Sequence, residues 1–396
     1  MSSVSVTADQ PVVIVGAGPV GLTLAWRLTQ AGVPVRVLES EPAITDQLRA
    51  STFHPPTLDM FAPSGITQTL HEQGQVTPTW QVRLHPSGER AEFDLGVLAQ
   101  DTDHPYRLQC RQAVLSRALL ARLPAGTCQF AQPVSALKPD HDGVTVMSEN
   151  TEHRAALVVG CDGARSVVRE AMQVNFEGET YPEITILATT TFAFEAHLAG
   201  LSGVNYIWKP QGTFSLLRLP DVWRVSLYPL PGQSAEQAMS DQAIAEQMAS
   251  ILGPDVAVPI LEKRVYRVHR RVADCYWRDR LLLAGDAAHL NSPKGGMGMN
   301  GGIHDAWNLA EKLVAVANGA ALHTLQQYER QRRPIAVEDI GGQAHANRQR
   351  MMDATAQDQQ QRLRELQRTA ADPEKAKAFL LKSSMIEGLR RSQALA

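Results

Sequence analysis

The sequence predicts an α/β fold: a parallel-sheet domain, discontinuous along the chain, with an inserted β-sheet domain and a helical C-terminal tail. Three observations predict it. The short apolar run Val12-Val13-Ile14-Val15 leads directly into Gly16-Ala17-Gly18-Pro19-Val20-Gly21 and a segment of helical spacing. Residues 184–230 are rich in aromatics and Thr that alternate with a period of two. From about 345 the chain is charged, rich in Gln and Arg, and without strand signals.

The elements follow in order. The first ten residues read as a disordered lead. Val12–Val15, continuously apolar and bounded by Gly16, reads as a strand buried on both faces. Pro19 to Ala31 places Leu22, Ala25, Trp26 and Leu28 on one side of a helix that Gly32 ends. Val33 to Leu38 is a second strand, closing at Glu39, so the three form a βαβ unit. Residues 76–100 alternate around a Pro86-Ser87-Gly88 turn, as a hairpin does. A helix spans 112–123, with Leu115, Leu119 and Leu123 on one face. Strands follow at 134–137 and 143–147, then at Leu157-Val158-Val159. Within 184–230, Phe192 shares a face with Phe194, Tyr206 with Trp208, and Phe214 with Leu216 and Arg218. Beyond them, Trp223 and Val225 point one way, Arg224 and Tyr228 the other. A surface helix covers 234–252. Leu281–Leu283 is a third buried strand, and a long helix runs from Gly302 to Asn318, closed by Gly319. The expected division is 1–75, 101–180 and 265–345 for the first domain, 76–100 and 181–264 for the inserted sheet, and 346–396 for the tail.

The 396 residues are 44% hydrophobic and 20% charged, with a net charge of −3, the composition of a soluble globular protein. The charge gives no case for nucleic acid or an anionic membrane. No run approaches the ~20 apolar residues of a membrane span, and the N-terminus does not read as a signal peptide. Cys110, Cys128, Cys161 and Cys275 lack metal-ligand or redox spacing, which points to reduced thiols and a cytoplasmic location. The expected partner is a small molecule; monomer and homodimer both remain open.

In the glycine motif, Gly16 permits a tight turn, Gly18 lets backbone approach a pyrophosphate, and Gly21 lets helix and strand pack closely. The helix N-terminus favours the phosphate charge. Glu39, at the end of the second strand, is placed to accept from a ribose. The glycine motif alone is a weak signal, but strand, glycines, helix, strand and acid in sequence make a Rossmann-like dinucleotide site. The other reading is a glycine-rich turn without ligand. This motif does not separate FAD from NAD.

Two further motifs do. Gly160-Cys161-Asp162-Gly163-Ala164-Arg165-Ser166 resembles the Asp-Gly motif of class A flavoprotein monooxygenases. Leu283-Ala284-Gly285-Asp286-Ala287-Ala288-His289 resembles their Gly-Asp motif and continues through Pro293-Lys294-Gly295-Gly296-Met297-Gly298-Met299-Asn300. From about 11 to 345 the chain resembles the p-hydroxybenzoate hydroxylase-like family of FAD-dependent aromatic hydroxylases. The resemblance implies FAD as cofactor, with Asp286 accepting from a ribityl hydroxyl. The loop of Pro293, Gly295, Gly296, Gly298, Met299 and Asn300 would lie along the isoalloxazine. The helix beginning there would stabilise an anionic reduced ring. The resemblance gives Asp162 and Arg165 contacts to FAD and the pyridine nucleotide. It gives Arg49, in Arg49-Ala50-Ser51-Thr52-Phe53-His54-Pro55, a contact to FAD. Either Arg111 or Gln112 would face the pyrophosphate; the leucine spacing favours Gln112, the charge Arg111. NADH or NADPH would reduce FAD. With O2 as co-substrate, a flavin C4a-hydroperoxide would then hydroxylate a phenolic or N-heteroaromatic ring.

The substrate candidates are Phe192, Phe194, Tyr206, Trp208, Phe214 and Arg218, each equally an ordinary core residue. Arg224 resembles the family arginine that approaches the flavin, so Arg224 and Tyr228 are the catalytic candidates; no base is identified. His289 reads as structural, and Lys294 as facing substrate or solvent. Two alternatives are an epoxidase or reductase on the same fold, and an FAD-bound accessory protein docking through its tail. The Trp-x-Trp-x-Ile-Pro stretch of flavin halogenases is absent.

Overall fold

The computed structural model describes residues 4–395 apart from 48, 150, 211, 230–231, 292–294 and 341–354. Val12–Val15 is fully buried and central, parallel to Val35–Leu38 on one side and Leu157–Gly160 on the other. Cys128–Gln129 lies outside Val35–Leu38. Leu281–Leu283 lies outside Leu157–Gly160, with Trp277–Arg278 antiparallel at the edge. The three apolar runs read as strands are therefore the interior of a six-stranded sheet, where only continuously apolar sequence avoids burying polar side chains on one face.

Helix Pro19–Gln30 crosses over this sheet with Leu22, Leu24, Ala25 and Leu28 buried. Each buried leucine contributes roughly 1.5–3 kcal/mol. It packs on helix Met297–Ala317, where a Cβ at Gly302 would sit 2.6 Å from Val20 Cγ2. That helix begins five residues before the expected start at 302. Its N-cap is Gly296, held at φ +70, and its small N-terminal residues fit against the first helix where larger ones would not. The expected helix 112–123 ends at Leu120.

The second sheet has eight strands. In spatial order they are His289–Leu290, Glu262–Ala273, Phe176–Thr190, Trp223–Leu227, Gly212–Arg218, Val204–Lys209, Thr79–Leu84 and Arg90–Asp94. The hairpin expected at 76–100 supplies the last two. The expected domain boundaries at 180/181 and 264/265 fall inside the long strands Phe176–Thr190 and Glu262–Ala273, so the sheet reaches further into the first domain than the pattern suggested. The expected helix 234–252 is two helices, Ala235–Ala238 and Asp241–Leu252. The break is at Ser240, whose side chain caps the second by accepting from the Ala243 N–H.

One face of this sheet is sealed by Ile244, Met248 and Ile251 of helix Asp241–Leu252 against Phe214, Leu216, Trp223 and Val225. The tail forms helices Ala356–Ala371, Pro373–Ser383 and Ile386–Ala394. Its Leu363, Leu380 and Ile386 share a core with Trp80, Phe93 and Trp208, and Phe379 stacks on Phe93 at 4.8 Å. Lys377 and Arg390 both pair with Asp101 at 2.8 Å. The apolar side of the tail is thus spent on its own chain rather than presented for docking.

Candidate active site

A cavity of about 860 Å³ opens between the uncovered face of the eight-stranded sheet and the carboxyl ends of the parallel strands, where α/β sheets hold their ligands. A second, of about 360 Å³, runs over Gly16–Gly18 to Glu39. Gly18, Arg49, Gln112, Cys161 and Gly163 line both, so the two join into one elongated space.

At the narrow end, Gly16 has φ +104, and a Cβ there would lie 2.5 Å from the Cys161 carbonyl oxygen. Gly18 is the opposite case: nothing stands within 4 Å of where its Cβ would be, so the groove above it is open. Glu39 Oε2 accepts from the Ala17 N–H at 2.6 Å and Oε1 from Glu41 N–H at 2.9 Å, fixing the carboxylate at the cavity wall. Asp162 Oδ2 accepts from Val167 N–H at 2.8 Å, whereas Oδ1 is buried without a partner, and burial pushes this carboxyl up. Asp286 is exposed to the large cavity yet deep in the molecule. There burial pushes its carboxyl above the usual range, opposed by His289 and Arg49. Open space at Gly18, an orphaned oxygen on Asp162 and an elevated carboxyl at Asp286 fit the diphosphate and hydroxyl groups of FAD.

The Arg49–Thr52 wall of the large cavity is clasped to the Gly295–Asn300 loop. Asn300 Oδ1 accepts from His54 N–H at 3.0 Å, and its Nδ2 donates to the carbonyls of Thr52 and Gly296 at 2.8 and 2.7 Å. His54 Nε2 donates to the Gly295 carbonyl at 2.8 Å. Burial lowers the pKa of His54 to about 3, so the ring is neutral. Arg224 Nη1 donates to the Arg49 carbonyl at 2.7 Å and to Ser51 Oγ at 3.2 Å. Below, Asp305 accepts from His289 Nε2 at 2.6 Å, Arg332 Nε at 2.7 Å and the Gly285 N–H at 3.2 Å. His289 is thus a strut beneath the Gly-Asp turn.

The structure gathers Gly18, Pro19, Arg49, Gln112, Asp286, Gly295, Gly296, Gly298 and Met299 on the large cavity, with Gly16, Glu39, Asp162 and Arg165 on the small one. Gly21 is buried beneath the turn, where a Cβ would lie 2.0 Å from the Gly16 oxygen. Asn300 is buried and holds the loop instead of facing the cavity. Arg111 and Gln112 separate: Gln112 lines both cavities, while Arg111 turns to Asp221 at 3.0 Å. Pro293 and Lys294 lie outside the described residues.

The substrate side requires correction. Tyr206, Arg224 and Tyr228 line the cavity; Phe192, Phe194, Trp208, Phe214 and Arg218 do not. Phe194 and Phe214 are core residues on the sealed face, Phe192 packs beside Phe194 at 5.1 Å, and Trp208 is buried under the tail. Phe192 and Phe194 are also not on a strand, which ends at Thr190. Arg218 lies over the Trp223 ring near Glu195. For Phe214 and Arg218 the cause is parity: helix Asp241–Leu252 takes their face, so the alternate residues Ser215, Leu217 and Ser226 meet the cavity, whereas Trp208 shares the face of Tyr206 and is covered by the tail.

Sequence reasoning missed Thr185, Leu187, Arg264, Tyr266, Arg267 and His269, all lining the cavity. The run Lys263-Arg264-Val265-Tyr266-Arg267-Val268-His269 does not alternate strictly and its lining residues fall on both parities, so period two gave no signal there. Arg49, Arg224, Arg264 and Arg267 face one lining acid, Asp286, among the described residues, giving the cavity a positive field.

The family described as FAD binding domain matches residues 9–340. The chain is 33% identical over 399 residues to the para-nitrophenol 4-monooxygenase of Pseudomonas sp. (strain WBC-3), covering 96% of each. It is 31% identical over 349 residues to the 6-hydroxy-3-succinoylpyridine 3-monooxygenase HspB of Pseudomonas putida, covering 85% of this chain and 88% of that one. The crystal structure of p-nitrophenol 4-monooxygenase PnpA from Pseudomonas putida DLL-E4 superimposes with a TM-score of 0.88 at 32% identity, covering 96% of this chain and 98% of that one. The match spans the tail as well as both sheets. With its three flavin motifs around one continuous cavity, the chain belongs to the FAD-binding family of class A flavoprotein monooxygenases and is an FAD-dependent aromatic monooxygenase.

Proposed function

We propose that the large cavity is where a phenolic or N-heteroaromatic small molecule is hydroxylated, and that the small cavity holds the adenosine half of FAD. The observation that carries this is the continuity of the two spaces through Gly18, Arg49 and Gln112. It allows one extended cofactor to reach from Glu39 to the sheet face. Bound FAD accepts electrons from a reduced nicotinamide and activates O2; the hard chemistry is the cofactor's. The protein binds, orients and excludes water. Glu39 takes the ribose, and the helix N-terminus at Pro19 with Arg49 and Gln112 takes the diphosphate. Asp162 and Asp286 offer acceptor oxygens to hydroxyls. The Gly295–Met299 backbone leaves room for a flat ring.

The sheet roofs the reacting end with Tyr206, Tyr228, Ser215, Ser226 and Leu187, positioning a substrate ring and keeping solvent off it. Arg224 and Tyr228 are the side chains we assign to the reacting ring. The names of two relatives, one for a nitrophenol and one for a hydroxypyridine, support a hydroxylated ring as substrate. Four unpaired cysteines support a reducing, cytoplasmic setting, and no described helix is long and apolar enough to cross a membrane.

The test is FAD-loaded protein with NADH or NADPH, isotopic O2 and a panel of phenols and hydroxypyridines. Substrate-stimulated nicotinamide oxidation with labelled oxygen in the product is expected. Absence of labelled product across the panel would sink the proposal.

A further inference from the structure

The Gly295–Met299 loop of the large cavity is gripped from two sides. Gly295 and Gly296 both have positive φ, +92 and +70, and as glycines they give the loop little stiffness of its own. On one side His54 and Asn300 hold it by hydrogen bonds to the Gly295 and Gly296 carbonyls. On the other stands Met297, which is buried and does not line the cavity. Its Cγ, Cε and Sδ lie 3.7, 3.8 and 4.0 Å from where a Gly295 Cβ would be, so this side chain backs the glycine.

Met297 is backed in turn by the tail. It forms a small apolar cluster with Ala336 and Met385, both buried. Met385 stands between helices Pro373–Ser383 and Ile386–Ala394 at φ +66. Glycine enters that region freely, and a residue with a side chain is held there only when its surroundings impose it. Those surroundings are built on both flanks. Lys377 of the first helix and Arg390 of the second meet at Asp101, and Gln331 Nε2 donates to the Leu395 carbonyl at 2.8 Å. The turn itself would be served better by glycine, so what methionine adds is the contact to Met297. The same tail reaches the roof. Its Leu363 and Leu380 share a core with Trp80 and Val204, on which Leu217 packs, and Leu217 lines the cavity. One segment of chain thus backs both surfaces between which a flat ring would lie.

We infer that the tail is a brace that sets the spacing between the sheet face and the Gly295–Gly298 loop, with Met385 as the positioning residue that acts on the loop through Met297. This rests on the reading of that loop as the wall along the isoalloxazine. Gly295, Gly296 and Gly298 line the large cavity alone, whereas Glu39 lines the small one. Loss of the brace is therefore felt at the ring end of FAD and not at its adenosine end.

Met385→Gly is the test, because it eases the backbone and deletes only the side chain. Diluted full-length holoenzyme should release FAD with a Kd raised about twofold to thirtyfold, the range for coupling relayed through packed side chains. The visible band of the flavin that stays bound should shift. ADP fills only the adenosine end and should bind the flavin-free variant as tightly as it binds flavin-free wild type. Met385→Leu refills the volume and should restore both flavin readings. Met297→Ala should reproduce the effect, and adding Met385→Gly to it should weaken FAD no further. A purely structural contact would instead weaken ADP and FAD alike. If Met385→Gly does not fold, Lys377→Glu with Arg390→Glu, two exposed positions bracketing Met385, is read by the same comparison of FAD with ADP. The inference is overturned if the deciding variant keeps the wild-type FAD affinity and flavin band, or if its ADP affinity falls with that for FAD. It is also overturned if Met385→Gly weakens FAD further in the Met297→Ala background. Labelled product with an unaltered flavin band in the deciding variant overturns the brace alone. A shifted band without labelled product from any aromatic overturns the proposed function alone.

Discussion

Arg224 Nη1 reaches the backbone carbonyl of Arg49 at 2.7 Å, joining the eight-stranded sheet to the wall of the nucleotide groove across 175 residues of chain. The same guanidinium is buried and lines the cavity. A hydrogen bond from a charged donor is worth about 1.5–3 kcal/mol. Arg224→Gln should therefore raise the Kd for FAD about tenfold in a flavin-fluorescence titration. It should also release more peroxide per nicotinamide oxidised, because a loosened roof admits water. Unchanged affinity would show that the Arg49 wall holds without this tie.

The two glycines of the turn make opposite predictions. Gly18 has φ −70, which any residue adopts, and its missing Cβ faces empty space. Gly18→Ala should fold with an unchanged unfolding midpoint in the absence of FAD but bind FAD at least tenfold more weakly, since the methyl occupies the groove. Gly16→Ala combines φ +104 with a 2.5 Å clash and should lose about 1–2 kcal/mol or more from the backbone conformation alone. Urea unfolding of the two apoproteins separates the cases. If both are equally destabilised, the groove above Gly18 is not open as described.

Asp286 ends the turn after Leu281–Leu283 and shows its carboxylate to the cavity. Asp286→Ala should be purified largely without flavin, read as flavin absorbance per protein. Full retention of the yellow colour would remove Asp286 from the cofactor site.

The contrast between these residues and the misassigned aromatics shows what a sequence makes visible. Val12–Val15, Leu157–Gly160 and Leu281–Leu283 are apolar at every position because both sheet faces are covered, and such runs have one reading. The turns that follow them carry Gly16, Asp162 and Asp286, so the nucleotide end of the site was legible. In Gly212–Arg218 the alternation shows two faces but not which one a helix will cover. Helix Asp241–Leu252, distant in sequence, buries Phe214 and leaves Ser215 to the cavity. Arg332 was silent for the same reason: its partner Asp305 lies 27 residues back along the chain, where no local spacing connects them.

Acid should weaken the fold through histidines that cannot take a proton. Burial holds His54 and His304 to pKa values of about 3, against about 6.5 in an unfolded chain. Below 6.5 the unfolded state binds protons the folded state refuses, so stability falls as pH drops from 6.5 toward 3. Each histidine contributes up to about 1.4 kcal/mol per pH unit. His304→Gln should remove about one proton's worth of slope from unfolding free energy measured between pH 6 and 4.5. A slope equal to wild type would mean that His304 is protonated in the fold.

Asp305 behaves oppositely, and its pair gives the sharpest stability test. His289 and Arg332, the latter 1% exposed, hold its carboxyl down at about 2 despite burial. Its contribution is present above the unfolded value near 4 and lost as pH falls through about 2. Asp305→Asn leaves Arg332 buried without a counter-charge and should cost about 3–5 kcal/mol. It should also weaken FAD retention, because Asp305 accepts from the Gly285 N–H beside Asp286. Removing both charges is less damaging than removing one, since the penalty comes from the stranded ion and not from the lost attraction. The double variant Asp305→Asn with Arg332→Met should therefore be more stable than Asp305→Asn alone in urea unfolding. If it is less stable by the sum of the two single losses, Arg332 stabilises the fold through contacts other than Asp305, and the pair is not the strut beneath the Gly-Asp turn.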